Sequence, residues 1–185
     1  MSAPESNIEA AERIVALLRS HGVQSVLIGA IALAAHHYVR HTADIDLGVD
    51  VDIKTMRTLA SRIAEEGFKV EFREPDSDDP LGGVMDVSGP FGLVQIISFA
   101  DRFPIVIQDA LAGEDIRIRP GSELRLIPIP QLVALKLYAG GYQSRADIIE
   151  LLRRNPGVDL EEIRATCRKY RLRGIDALLA EVNPS

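Results

Sequence analysis

The chain has 185 residues, 46% apolar and only 5% aromatic, which suits one ordinary core and a single domain spanning 1–185. With 21 basic and 27 acidic residues its formal charge is −6, which argues against a protein that coats nucleic acid with its whole surface. The lone cysteine, Cys167, excludes an internal disulfide framework and a multi-cysteine zinc site. No basic segment precedes an apolar run at the start, and no apolar stretch approaches the roughly 20 residues needed to span a bilayer. A soluble cytoplasmic protein with no membrane partner is therefore expected.

Ile8, Ala11, Val15, Leu17 and Leu18 recur at near-helical spacing between a cap at Ser6 or Asn7 and a stop at His21-Gly22, predicting a helix of about four turns. Val23 to Ile28 is a β-rich run closed by Gly29, and Ala30 to His36 is rich in helix formers, so this stretch reads as strand, tight turn and buried helix. Asp44 to Val51 alternates acidic or small residues with branched apolar ones, the period of a strand with one wet face. Asp52 caps a helix to about Glu66; Phe68 to Phe72 is another alternating strand; Glu74 to Pro80 is a polar loop.

Gly83 to Ser88 and Leu93 to Ser98 flank Gly89-Pro-Phe-Gly92 and read as a hairpin with a four-residue loop. In the simplest register Ser88 opposes Leu93, Asp86 opposes Gln95 and Val84 opposes Ile97. The sequence is less regular through Arg119, and then turns helical over 130–139, 144–154, 159–170 and 174–181, with Pro130 in a first turn, Ser144 as an N-cap and Asp159 with Glu162 as a capping-box-like start. Strands first and helices last make an α+β protein, with an α/β core over 1–120 and a helical lobe over 121–185.

Asp44-Ile-Asp46 is the sharpest chemical feature. In a strand both carboxylates project from one face with Cα atoms roughly 6.5–7 Å apart, while Ile45 and Leu47 face the core. Such a pair can share or divide hard cations whose shells phosphate oxygens complete. Gly29 ends one strand and opens a helix, where backbone N–H groups can meet a phosphate. Arg40-His-Thr42-Ala leads directly into the carboxylate strand. His36, His37 and His41 lack the carboxylate placement of a zincin and read as core or rim residues, and Cys167 reads as structural.

These residues resemble the nucleotidyltransferase superfamily that shares the DNA polymerase beta palm, in its minimal branch related to the AbiEii-type abortive-infection toxins. The likeness rests on Gly29-Ala30, on Arg40-His-Thr42-Ala-Asp44-Ile-Asp46-Leu, on Ile129 to Ala139 with Lys136, and on Arg145-Ala-Asp147. It implies a mixed β-sheet flanked by helices and a nucleotidyl transfer supported by Mg²⁺, two ions with the NTP. Asp44 and Asp46 would hold the metal, and Gly29, Ala30, Arg40, Thr42 and Lys136 would bind the nucleotide; the other readings are Arg40 paired with Asp44 or Asp46, and Lys136 as a snorkelling lysine on an amphipathic helix. Asp147 would orient Lys136 or Arg145. The implied acceptor is an RNA, tRNA-like in kind, or a protein, and a toxin-like role would bring a cognate antitoxin.

This sequence departs from the pattern twice: Ala30 stands for a second glycine or serine, and Gln95 occupies the place of a third carboxylate. The hairpin register puts Asp86 across from Gln95 on the same face, so Asp86 is expected to supply the missing catalytic charge. The other reading is a catalytically degenerate protein of the same fold that binds a nucleotide or a partner protein. The charge is also uneven. Residues 117–173 hold 12 basic and 6 acidic side chains against 9 and 21 elsewhere, and Arg164, Arg168 and Arg171 share one helical face, which reads either as ordinary solvated surface or as a grip on a triphosphate or an RNA end.

Overall fold

The computed structural model describes residues 6–39, 44–75 and 83–182. Ser6 opens α1 (Asn7–Ser20) with a full capping box: its hydroxyl accepts the Glu9 N–H while the Glu9 carboxylate accepts the Ser6 N–H. Then come β1 (Ser25–Ile28), α2 (Gly29–Ala35), β2 (Ile45–Val49) and α3 (Ile53–Glu65), capped by Asp52. The antiparallel β3 (Lys69–Arg73), β4 (Val84–Gly89) and β5 (Gly92–Ser98) follow.

The five strands form one mixed sheet in the order β1-β2-β5-β4-β3, in which β2 and β5 are parallel and all other neighbours antiparallel. The β4–β5 hairpin has the expected register, with Asp86 opposite Gln95. Its loop is shorter than expected: Gly89 and Gly92 pair and close the ladder, leaving Pro90-Phe91 as a two-residue turn.

One sheet face carries Leu27, Ile45, Leu47, Val49, Met85, Val87, Val94 and Ile96, all buried, and α1 and α3 pack on the sheet and on each other. Transfer of such side chains from water, about 1.5–3 kcal/mol each, is the main term holding this layer. The other face is divided. Toward β1 it is apolar, with Val26 and Ile28; toward β3 it carries Asp86, Ser88, Glu71, Lys69 and Arg73 at half-buried or exposed positions.

Between the sheet and the last helices lies α4 (Pro104–Ala112), in a stretch that sequence periodicity left unassigned. Val106, Ile107 and Ala110 are buried, and the run Pro-Ile-Val-Ile-Gln-Asp-Ala-Leu-Ala has only two polar residues, the adjacent Gln108 and Asp109, too few to mark an amphipathic stripe. Arg125 Nη2 donates to the carbonyls of Ala110, Gly113 and Glu114 and so satisfies the end of α4. Residues 125–127 run beside β1, with Leu27 N–H donating to Arg125 O and Ile127 N–H to Leu27 O.

The chain ends in α5 (Ile129–Ala139), α6 (Gly141–Arg154), α7 (Leu160–Lys169) and α8 (Ile175–Val182). Ser144 is not an N-cap: α6 begins at Gly141, because Gly140, at φ +68°, turns the chain straight out of α5. Asp159 caps α7 as expected, accepting from the N–H groups of Glu161 and Glu162. The buried residues of the sheet and of these helices form one continuous core, including Cys167 at 0% exposure. Among the described residues no helix is long and apolar enough to cross a membrane.

Candidate active site

Strand β1 delivers Gly29 to the start of α2 with φ +69°, a conformation that side chains resist. The reason for glycine is space as well as backbone: an added Cβ would lie 1.8 Å from Asp46 Oδ2 and 2.9 Å from Asp46 Cβ. The Asp46 carboxylate therefore lies directly against the Gly29 backbone, in the angle between the end of β1 and the start of α2. No side chain caps α2, and Ala30, its second residue, is buried. Asp44 precedes β2 by one residue and is half-buried.

A single row of directly paired residues crosses the sheet: Ile28, Asp46, Gln95, Asp86 and Glu71. Gln95 thus sits between the two aspartates. Its Nε2 donates to Asp86 Oδ1 at 2.7 Å, and Arg73 Nη2 reaches both oxygens of Asp86 at 3.1 and 3.3 Å. Asp86 lies two strand spacings from Asp46, roughly 9.5 Å between Cα atoms.

Asp46 and Gly29 also line a cleft of about 260 Å³ between the sheet and the late helices. Leu132, Leu135, Lys136, Tyr138 and Ala139 of α5 and Ser144 of α6 line it as well, together with Phe99. Lys136 thus faces the Asp46 side of the molecule across an apolar gap. Its Nζ is held by Asp147 Oδ2 at 2.8 Å, and Gln143 Nε2 donates to the other Asp147 oxygen at 3.0 Å. Asp147 is fully buried. Of the two partners expected for Asp147 it takes Lys136, while Arg145 pairs with Glu181.

Arg40 and Thr42, with His41, lie outside the described residues. His36 is a rim residue whose Nε2 bonds to the Ile127 carbonyl, and burial holds its imidazole below the ordinary value despite that bond. Arg164 pairs with Asp176 and Glu161, Arg168 with Glu161, and Lys169 with Asp109. Two of the three arginines expected to grip RNA are therefore matched by carboxylates of the same lobe. Sequence reasoning missed Arg73 and the cleft wall of Phe99, Leu132, Leu135 and Tyr138. Arg73 falls just past the strand expected over 68–72, and the wall residues carry no motif of their own.

Among the described residues no three His, Cys, Asp or Glu side chains gather into a metal cage. The donor set still fits a hard cation that takes its remaining ligands from a polyphosphate and water: the carboxylates of Asp44, just before β2, and of Asp46 on β2, the latter seated against the Gly29 backbone in space that a Cβ would need.

No protein-family model matches the chain, and no curated protein sequence matches it significantly. Solved structures do. The crystal structure of ANT(2'')-Ia in complex with adenylyl-2''-tobramycin is similar with a TM-score of 0.60 and 14% identity, over 89% of this chain and 96% of that one. The solution structure of ANT(2'')-Ia aligns with a TM-score of 0.57 and 15% identity, over 89% and 90%. An antigenic nucleotidyltransferase-like protein from Paracoccidioides brasiliensis gives 0.55 and 16%, over 98% and 92%. At these identities the likeness is one of fold, and the fold is that of nucleotidyltransferases.

Proposed function

We propose that this chain is a metal-dependent nucleotidyltransferase that moves a nucleoside monophosphate from an NTP to a hydroxyl acceptor. The observation that carries the reading is the seating of Asp46 against the Gly29 backbone, in a cleft whose opposite wall presents Lys136. In this reading Asp44 and Asp46 hold Mg²⁺, the backbone at Gly29 and Ala30 borders the triphosphate, and Lys136, steadied by Asp147, faces its negative charge. Arg40 and Thr42 join the nucleotide site as the sequence resemblance implies. When bound, the cation neutralises charge on the phosphate oxygens as it redistributes during transfer. The acceptor oxygen forms a bond to the α-phosphorus, the bond from that phosphorus to the bridging oxygen breaks, and pyrophosphate leaves with the electron pair. The hydroxyl proton passes to solvent.

The acceptor is an RNA end, a protein hydroxyl or a small hydroxylated molecule. The internal pairing of Arg164 and Arg168 favours the small molecule, since those cations already have carboxylate partners. The adenylyl-2''-tobramycin in the ANT(2'')-Ia complex is a small hydroxylated molecule that already carries an adenylyl group. A cytoplasmic, AbiEii-like toxin role with a cognate antitoxin rests on the sequence resemblance. Gln95 supports a second reading, a degenerate protein that binds nucleotide without transferring it, because an amide takes no proton from an acceptor.

Calorimetric titration with Mg²⁺ and α,β-methylene-ATP tests the site. Wild-type protein is expected to bind and Asp46→Asn to bind at least tenfold more weakly; equal binding by both, or none by wild type, removes the proposal.

A further inference from the structure

Gln95 stands where a carboxylate is expected, yet its side chain is fixed. Asp86 offers only acceptor oxygens, so the Gln95 amide must turn its nitrogen toward β4, as the 2.7 Å bond from Nε2 to Asp86 Oδ1 shows. The carbonyl oxygen is then the atom left for the rest of the site. Asp86 is itself held from the edge strand, where Arg73 spans both its oxygens. The chain Arg73–Asp86–Gln95 therefore runs inward along the sheet and ends on the strand beside Asp46, its parallel pairing partner.

We propose that Asp86 is a positioning residue: clamped by Arg73, it takes the Gln95 amide N–H and presents Gln95 Oε1 as a neutral oxygen ligand to a divalent cation held by Asp44 and Asp46. This rests on the nucleotidyltransferase reading and changes the part Asp86 plays in it. From two strands away its carboxylate acts through Gln95 and does not reach the cation. An amide oxygen is an ordinary ligand for hard cations, and outer partners that orient such ligands typically carry about 10- to 100-fold in metal affinity.

The test is Mn²⁺ affinity, read by electron paramagnetic resonance with α,β-methylene-ATP present, alongside the nitrogen and proton shifts of the Gln95 side-chain amide without metal. Asp86→Leu removes the acceptor and is expected to weaken Mn²⁺ by about 10-fold or more and to move the amide resonances toward solvent values. Asp86→Asn loses the charge but keeps an oxygen for Gln95, and is expected to stay within about threefold of wild type. Gln95→Leu should match Asp86→Leu, and the double variant should lose no more than either alone. Equal losses in Asp86→Asn and Asp86→Leu would mean that charge, not positioning, matters, and would overturn the inference, as would unchanged affinity in Asp86→Leu. Because Asp86 is on a sheet, circular dichroism accompanies each variant; if Asp86→Leu is unfolded, the smaller Asp86→Ala, which also removes the acceptor, takes its place with the same expected losses, and wild-type Mn²⁺ affinity in a folded Gln95→Leu overturns the inference in either case. A wild type that binds no Mn²⁺ with nucleotide overturns the nucleotidyltransferase reading and this inference together.

Discussion

Lys136, on the wall of the cleft that Asp46 also lines, forms a pair with Asp147. Asp147 is fully buried, so Lys136 and Gln143 are what make its burial tolerable. Breaking the pair from one side leaves a charge without its counterion, and Asp147→Asn or Lys136→Met alone is expected to lose about 3–5 kcal/mol in urea unfolding. Replacing both, as Lys136→Met with Asp147→Leu, should recover most of that stability, since a well-packed apolar pair can stand in for a buried ion pair. The recovered protein should still bind Mg²⁺–α,β-methylene-ATP poorly by calorimetry. Wild-type affinity in the double variant would make Lys136 a structural residue only.

At the scale of elements, the strand–turn–helix from β1 into α2 brings the Gly29 backbone against Asp46. Gly29→Ala would put a side chain at φ +69°, costing about 1–3 kcal/mol in strain, and drive a methyl into the Asp46 carboxylate. A lower melting temperature together with loss of nucleotide binding is expected; a variant that melts earlier yet binds normally would separate the turn from the site. Local signals made much of this legible in the sequence. Ser6, Asp52 and Asp159 are caps because a short polar side chain reaches an N–H two or three residues away, and the hairpin set Asp86 opposite Gln95. What was not legible depends on distant packing: the parallel pairing of β2 with β5, separated by α3 and two strands, and the burial of α4, whose two adjacent polar residues leave no period to read. Arg73 was missed because its meaning lies in a diagonal neighbour on β4.

Over the whole molecule, the −6 charge is an average of unlike parts, and ion pairs settle much of it locally. Several carboxyls lie below their ordinary range: Glu9 through the Ser6 N–H, Asp52 through the Thr55 N–H, Asp115 beside Arg117 and Glu161 beside Arg168. At Asp109 burial pushes upward, but hydrogen bonds from Lys169 and Tyr170 outweigh it. A carboxyl lowered by folding adds stability that is present above its unfolded value, about 4, and is lost as pH falls through the folded one. In the other direction, burial, with Asp176 adding to it, raises the Cys167 thiol to about 11, so its share of stability is whole below 9.0 and fades as pH rises past it. Melting temperature should thus fall on both sides of neutrality, and Cys167→Ala should flatten the alkaline limb while leaving the acid limb alone. An alkaline limb equally steep in that variant would remove the thiol from the account. Nucleotidyl transfer at the Asp44–Asp46 strand, as proposed above, has a direct test. Protein incubated with Mg²⁺, α-³²P-labelled NTPs and separate pools of RNA, protein and aminosugar acceptors is expected to label one pool, and Asp46→Asn to label none. Tight nucleotide binding with no label in any pool, or equal labelling by Asp46→Asn, would contradict it.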